Sequence, residues 1–390
     1  MTPIRIKPAL LQIHSILGLV AALILSLMGL TGAIMGFEDE IQAALNSSLA
    51  HVAPRTEAPL TPAELVARLQ ADPELGKVAA ITLSRDPSAA ARIRFARNGD
   101  GGRPSSLLVD PYDGRVLGEP SGESFFTTVR HLHRWLLLPG DGNGAGRQIT
   151  GAAVLGLVVL LITGIVLRWP KRASSANAWL KPQLGLSGRG LHRSLHSVVG
   201  TWVLPVYLVI ALTGLTYSYA WYKDGLTWLL APASQTQMPG KAARGGASPA
   251  AEAKPLALDL VWATLREQVG DRFAVMQLTL PAGGGTGLRV RTWPSEQNDG
   301  RRDEFRIDGA TGRLISAERY ADKTTGERVL ARILDIHRGS ILGWPGQLLF
   351  MLAAALMPLF AVTGVLLYVS RRKLRRPMPP LTTVHLVPGE

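Results

Sequence analysis

The sequence predicts a membrane α-helical protein with four transmembrane helices, two outer α+β units and an internal duplication. Three observations carry that prediction. Four stretches hold no charged residue and are each long enough to cross a bilayer. Lys and Arg gather at only one set of their ends. The order helix, α+β unit, helix occurs twice in the same direction. Composition agrees: of 390 residues, 47% are hydrophobic and only 18% charged, an apolar excess for a soluble enzyme. The chain has no cysteine, which excludes iron–sulfur clusters, Cys-ligated zinc, disulfides and covalently attached haem.

Taken in order, residues 8–37 form the first span, thirty residues without a charge between Lys7 and Glu38. A crossing needs roughly 20 residues. The stretch is too long for a removable signal peptide and has no small-residue cleavage site after a short apolar core. Residues 38–130 form the first outer unit. Residues 131–170 join a His-bearing segment to helix 2, charge-free from Gln148 to Leu167. A cytoplasmic loop, 171–190, leads to helix 3 at 191–222. The second outer unit, 223–336, contains an Ala/Pro/Gly/Ser-rich flexible linker at 231–254. Residues 337–370 are the second His segment with helix 4, and 371–390 a basic tail.

Charge sets the orientation. The segment before helix 1, the loop after helix 2 and the tail after helix 4 together hold thirteen basic residues and one acid, Glu390. The rest of the chain has 29 basic and 28 acidic residues, so nearly all of the net +13 lies on one side. Both termini and the middle loop are expected in the cytoplasm, with two large segments outside, which in a Gram-negative cell is the periplasm. A basic balance confined to helix ends is a topology signal, and no nucleic-acid partner is expected.

Each outer unit opens with an amphipathic helix. Thr61-Pro62-Ala63-Glu64 supplies a capping Thr, a Pro at the first helical position and a Glu that caps back; Leu258–Val269 is its counterpart. Alternating strands follow, around Ile93 and Phe95 in one copy and Leu288 and Val290 in the other. Hairpins close both: Asp110-Pro-Tyr-Asp-Gly114-Arg115 and Asp308-Gly-Ala-Thr-Gly312-Arg313 keep Asp, Gly and Arg at equal offsets.

The repeat continues into the membrane. Helix 1 reads His14-x3-Gly18-x12-Thr31-Gly32 and helix 3 His196-x3-Gly200-x12-Thr213-Gly214. Helices 2 and 4 carry Thr163-Gly164 and Thr363-Gly364, preceded by Leu132-His133-Arg134 and Ile336-His337-Arg338. At 100° per residue Gly18 lies on the His14 face and Gly200 on the His196 face, each leaving a recess into which a porphyrin edge fits. Two neutral imidazoles at one depth on related helices suit the two axial positions of one iron. The expectation is two haem b groups. His14 and His196 ligate the cytoplasmic-side iron, His133 and His337 the periplasmic-side iron. His131 and His192 are the rivals of His133 and His196, and His51 and His385 lie in polar surroundings without a partner in the repeat. Arg134 and Arg338 suit haem propionates or, equally, lipid phosphates. Trp135 and Trp344 fit an aromatic belt or a substrate surface above the outer haem.

These residues together resemble the PepSY-associated transmembrane (PepSY_TM) family: His-x3-Gly opening helix 1, Leu-His-Arg before helix 2, Leu191-His-Arg-Ser-Leu-His196, Ile-His-Arg-Gly339 and the repeated Thr-Gly. The Asp-Pro-Tyr-Asp-Gly-Arg hairpin resembles the PepSY signature, which makes the outer units PepSY-like. The likeness covers residues 8–370 and is greatest toward inner-membrane siderophore-iron reductases. It implies a haem-dependent enzyme that draws electrons from a cytoplasmic or quinone donor, reduces ferric siderophore in the periplasm and so serves iron uptake. A PepSY-type binding or regulatory module anchored by the helices, and a metal or haem transporter, are the competing readings.

Overall fold

A computed structural model describes residues 6–73, 75–96, 106–169, 174–232, 256–270, 272–281, 285–296 and 300–374. Most of the expected linker 231–254, most of the tail 371–390 and His385 lie outside these residues. The chain divides into a helical unit, from segments 1–33, 132–218 and 350–390, and a sheet unit, from 34–131 and 219–349.

Along the chain, α1 (Ile6–Ile34) passes through one 3-10 turn into α2 (Glu38–Leu45), whose first turn, Glu38-Asp39-Glu40, complements the positive end of the helix dipole. Then come α3 (Pro62–Gln70), β1 (Val78–Ser84), β2 (Ala91–Phe95), β3 (Ser106–Val109), β4 (Val116–Gly118) and α4 (Glu123–Trp135). The middle of the chain is α5 (Ala145–Arg168), the short α6 (Ala176–Leu180), α7 (Gly188–Ser218) and α8 (Ala220–Leu230). The second half of the repeat follows with α9 (Leu258–Val269), β5 (Val275–Thr279), β6 (Gly287–Trp293), β7 (Asp303–Asp308) and β8 (Leu314–Glu318). It ends in α10 (Thr325–Ala331), α11 (Ile333–Arg338), α12 (Gly343–Ala355) and α13 (Met357–Leu374).

Four helical stretches are long and apolar enough to cross a membrane: Ile6–Leu45, Ala145–Arg168, Gly188–Ser218 and Ser340–Lys373. The chain is a multi-pass membrane protein. Two of these stretches differ from the sequence expectation for local reasons. Helix 3 stops at Ser218, short of Tyr222, because Tyr219 turns extended and the chain restarts as α8. Helix 4 is broken at Leu356, between α12 and α13. Pro358 has no N–H to give the Ala354 carbonyl and its ring crowds that turn. The freed Ala354 carbonyl lies against Gly29 of α1, where an added Cβ would come within 2.6 Å of that oxygen and 2.5 Å of Met357 Cβ. Any side chain at 29 would hold the helices apart.

In the sheet unit all eight strands form one antiparallel sheet, in the order β4-β3-β2-β1-β5-β6-β7-β8. The sequence suggested two outer units. The structure joins their sheets edge to edge through β1 and β5, with Ile81 opposite Leu278, Thr82 opposite Gln277 and Ala80 opposite Thr279. Pairing covers the edge that each half would otherwise present to water. One core serves both repeats. Leu65 and Leu69 of α3 and Val261 and Leu265 of α9 pack with Ile81, Ile93, Leu278, Val290, Phe305 and Ile307 from one sheet face. Burying each such side chain is worth about 1.5–3 kcal/mol.

The local motifs form as the sequence predicts. Thr61 Oγ1 accepts from the Glu64 N–H while the Glu64 carboxylate accepts from the Thr61 N–H. The same box, Thr324 with Glu327, starts α10. The hairpins match bond for bond: Asp110 N–H donates to the Arg115 carbonyl at 2.9 Å and Gly114 N–H to the Asp110 carbonyl at 2.9 Å. Their counterparts, Asp308 to Arg313 and Gly312 to Asp308, measure 2.9 and 2.8 Å. Gly114 and Gly312 have φ of 75° and 69°, where a side chain would be strained.

Candidate functional site

Four histidines were expected to act. In the helical unit, α1 brings His14 and α7 brings His196 together, with ring centroids 6.2 Å apart and planes inclined at 75°. Each ring is fixed from a further helix. His14 Nδ1 lies 2.8 Å from Thr163 Oγ1 of α5, and His196 Nδ1 lies 2.8 Å from Thr363 Oγ1 of α13.

Hydroxyl bookkeeping assigns the tautomers. Thr163 Oγ1 donates to the Val159 carbonyl at 2.7 Å and Thr363 Oγ1 to the Leu359 carbonyl at 2.6 Å. A hydroxyl has one proton to give, so toward the histidine it accepts. Both imidazoles therefore carry hydrogen on Nδ1 and keep the Nε2 lone pair for a ligand, the arrangement that a histidine bound to a metal requires.

His133 repeats the pattern. Its Nδ1 lies 3.0 Å from Thr31 Oγ1 and 2.9 Å from the Met28 carbonyl, and Thr31 Oγ1 donates to the Leu27 carbonyl at 2.6 Å. Both partners accept, so this ring too carries its hydrogen on Nδ1. His133 sits on α4, outside the apolar spans, and burial pushes its pKa down to about 4, which keeps the ring neutral at ordinary pH. Thr213, the fourth member of the repeat, donates to the Val209 carbonyl at 2.6 Å. His337 lies on α11 in the sheet unit.

The glycines of the repeat fall into two groups. Gly18 and Gly200 were expected to make room beside the imidazoles of their own helices. An added Cβ at Gly18 would meet only Leu160, at 3.7 Å, and one at Gly200 only Phe360, at 3.5 Å, both ordinary contacts. The glycines that face the rings are the second members of the Thr-Gly pairs. Gly164 lies against His14 Cε1, Gly364 against His196 Cε1 and Gly32 against His133 Cε1, with added Cβ contacts of 3.4, 3.6 and 3.3 Å. Each of these three dipeptides thus does two jobs, a hydroxyl for Nδ1 and an unobstructed backbone for the ring edge. Sequence reasoning saw the dipeptide four times without reading this role, because its partner histidine lies on another helix.

Between the rivals, His196 and not His192 meets the threonine and His14. His133 belongs to the helical unit and His131 to the sheet unit. His51 is an exposed loop residue whose Nδ1 donates to the Ser47 carbonyl at 2.7 Å. Arg134 is exposed and lies 4.8 Å from the Trp135 ring centre, a cation–π contact. Arg338 bonds Asp39 at 3.1 Å and the Met35 carbonyl at 3.2 Å, so its charge ties α11 to α2. Trp344 is 69% exposed, as a lipid-headgroup anchor would be.

Two imidazoles on opposite sides of one metal ion place their ring centres about 6.2 Å apart, given about 2.0 Å for each metal–nitrogen bond and about 1.1 Å from nitrogen to ring centre. The separation of the His14 and His196 rings matches that distance, and their tautomers leave Nε2 without hydrogen. Among the described residues no cluster of three or more His, Cys, Asp or Glu could hold a metal. Residues 11–371 match the family described as the PepSY-associated TM region. The chain belongs to the PepSY-associated transmembrane family. No curated protein matches it. Within this PepSY-associated chain, the matched residues include all four repeat histidines and all four Thr-Gly pairs.

Proposed function

We propose that this chain is a di-haem b oxidoreductase of the bacterial inner membrane, with both termini cytoplasmic and the sheet unit periplasmic. It takes electrons from a cytoplasmic or quinone donor and reduces ferric siderophore in the periplasm, releasing Fe(II). The observation that carries the reading is the 6.2 Å separation of the His14 and His196 rings, each with its Nδ1 hydrogen engaged by a threonine.

His14 and His196 would hold the haem of the cytoplasmic side. The second ligand pair, His133 and His337, rests on the sequence repeat. A haem iron, when bound, accepts and passes on one electron at a time. The chain's own residues fix the rings through Thr163 and Thr363 and admit the ring edges at Gly164 and Gly364. The hydroxyls raise the basicity of the ligating nitrogens by accepting from Nδ1–H. No protein acid or base is needed, since siderophores hold Fe(II) far less tightly than Fe(III) and reduction itself frees the metal.

A pyridine haemochrome assay tests the proposal. The wild type should carry two b-type haems per chain. The double substitutions His14→Ala/His196→Ala and His133→Ala/His337→Ala should each leave one. A colourless purified protein, or full haem content in both variants, would sink the reading and favour an anchored binding module.

A further inference from the structure

The sheet face opposite the core carries an arginine pattern that the electron path does not use. Side chains alternate across a strand, so the residues between the core members Ile93, Val290 and Phe305 point to the other face. They are Arg92 and Arg94 on β2, Arg289 and Arg291 on β6, and Arg306 on β7. The register aligns them: Arg94 opposes Ala80, Ala80 opposes Thr279, Thr279 opposes Arg289, and Arg289 opposes Arg306. In the next row Arg92 opposes Thr82, Thr82 opposes Gln277, and Gln277 opposes Arg291.

The duplication makes the pattern two-fold. About the β1–β5 seam, Ile81 pairs with Leu278, Ile93 opposes Ile81 and Val290 opposes Leu278. Arg92 and Arg94 therefore correspond to Arg289 and Arg291. Between the two arginine pairs lies a floor of Ala80, Thr82, Gln277 and Thr279. It is three strand spacings wide, about 14 Å; Ala80 within it is buried, Thr82, Gln277 and Thr279 are half-buried, and Gln277 reaches toward Thr82 at 3.4 Å.

Acids are present but fewer than the arginines: Glu318 lies opposite Glu304, and Ser106, opposite Arg94, donates to the Glu123 carboxylate at 3.0 Å. Glu304 bonds Arg291 at 3.0 Å and stands 4.0 Å from Arg289. Arg92, Arg94 and Arg306 form no ion pair with any described residue, and Arg94 and Arg306 are exposed. Partial burial, and then the like charges of Arg291, Arg306 and Arg94, lower the Arg289 pKa below its ordinary value. Folding has brought five arginines together with fewer acids to balance them, and self-repulsion of this kind costs stability that a bound anion would recover.

We propose that this face is the docking cradle for substrate and that the substrate class is the anionic ferric chelate, whose iron is wrapped in catecholate or carboxylate oxygens. The inference rests on the reductase reading for the word substrate. The charge complementarity is its own: a chelate with negative oxygens on opposite sides spans two arginine pairs, whose planar forks suit such oxygens. A cationic or neutral hydroxamate chelate would gain nothing from them.

The test uses the full chain in detergent and gallium(III) chelates, which cannot be reduced, so that binding is read apart from electron transfer. Gallium(III) tris-catecholate should bind more tightly than a neutral gallium(III) tris-hydroxamate. Its affinity should fall as salt is raised from about 0.01 to 0.15 M, as screening requires. Arg92→Gln/Arg289→Gln and Arg94→Gln/Arg291→Gln should each weaken the catecholate complex by about tenfold or more, the scale of lost charged hydrogen bonds, and leave the hydroxamate unchanged. Arg92→Lys/Arg289→Lys keeps the charge and should retain most of the binding. It also serves if a Gln variant fails to fold. Catecholate binding that is insensitive to salt and equal in wild type and variants overturns the proposal. So does a loss confined to binding of phosphatidylglycerol vesicles, which would make the face a lipid contact. Absence of haem would end the reductase reading and leave this binding result standing, whereas haem with no chelate preference would end only the cradle.

Discussion

At the scale of the residue, the informative unit is the threonine behind each histidine. Thr163→Val and Thr363→Val keep the side-chain volume and remove the acceptor for Nδ1–H. Each should weaken haem retention on the cytoplasmic side by about 10–100-fold, the usual cost of losing a partner to a metal-bound histidine. Haem titration followed by its visible bands would read this, and unchanged affinity would mean that the hydroxyl only packs. Because each threonine proton already goes to a carbonyl four residues back, the histidine proton has no acceptor able to pass it on. The midpoint potential of this haem should then stay flat with pH in a spectroelectrochemical titration. A slope of about 59 mV per pH unit, one proton per electron, would contradict the bonding described. Gly29 makes a steric prediction: Gly29→Leu meets Ala354 and Met357 and should lower thermal stability, while a leucine at the open Gly142, which has nothing within 4 Å, should not.

At the scale of the element, the motifs that need only neighbouring residues were legible beforehand. The Thr61–Glu64 box, the α9 helix and both Asp-to-Arg hairpins form where the sequence places them. Their chemistry sets an acid limit. Donors from the Thr61 backbone and hydroxyl hold the Glu64 carboxylate below the ordinary range, and the Thr324 backbone and hydroxyl do the same for Glu327. A depressed folded pKa stabilises fully above the unfolded value, about 4.3, and the gain is lost as pH falls through the folded one. Unfolding temperature should therefore drop on acidification below about pH 4.3, and Thr61→Ala with Thr324→Ala should flatten that dependence. Gly312→Ala, at a φ of 69° and with Leu260 Cβ only 2.7 Å from the new methyl, should cost about 1–3 kcal/mol in denaturant unfolding followed by circular dichroism. What the sequence hid were relations between distant elements. The Thr-Gly pairs were visible, but which histidine each one faces depends on helix packing. The breaks at Tyr219 and Leu356 were missed because an uninterrupted apolar run masks them, although Pro358 was a local sign of the second.

At the scale of the whole molecule, four spans and a duplication were readable from charge and repetition, whereas the fusion of two half-sheets was not. Edge pairing between β1 and β5 is carried by main-chain groups that every residue shares, so no side-chain signature announces it. The orientation proposed here has a direct check, since the chain has no cysteine of its own. Ser187→Cys, in the basic loop, should react with a membrane-impermeant maleimide only after cells are opened. Ala321→Cys, in the sheet unit, should react in cells whose outer membrane alone is permeable. The reverse pattern would invert the topology and the direction of electron flow.

The shared sheet also bears on how the protein is made. Strand β1 is complete by residue 84, yet its neighbour β5 begins at residue 275, with α5 and α7 still to be inserted into lipid in between. A ribosome must therefore release a first half whose last ladder of amides and carbonyls is open for the whole interval. Until the second half arrives, that rim is a template for any passing strand. An escort that shields extended backbone during biogenesis would be needed most in that window, and a chain truncated after α7 should aggregate instead of persisting as a half-protein.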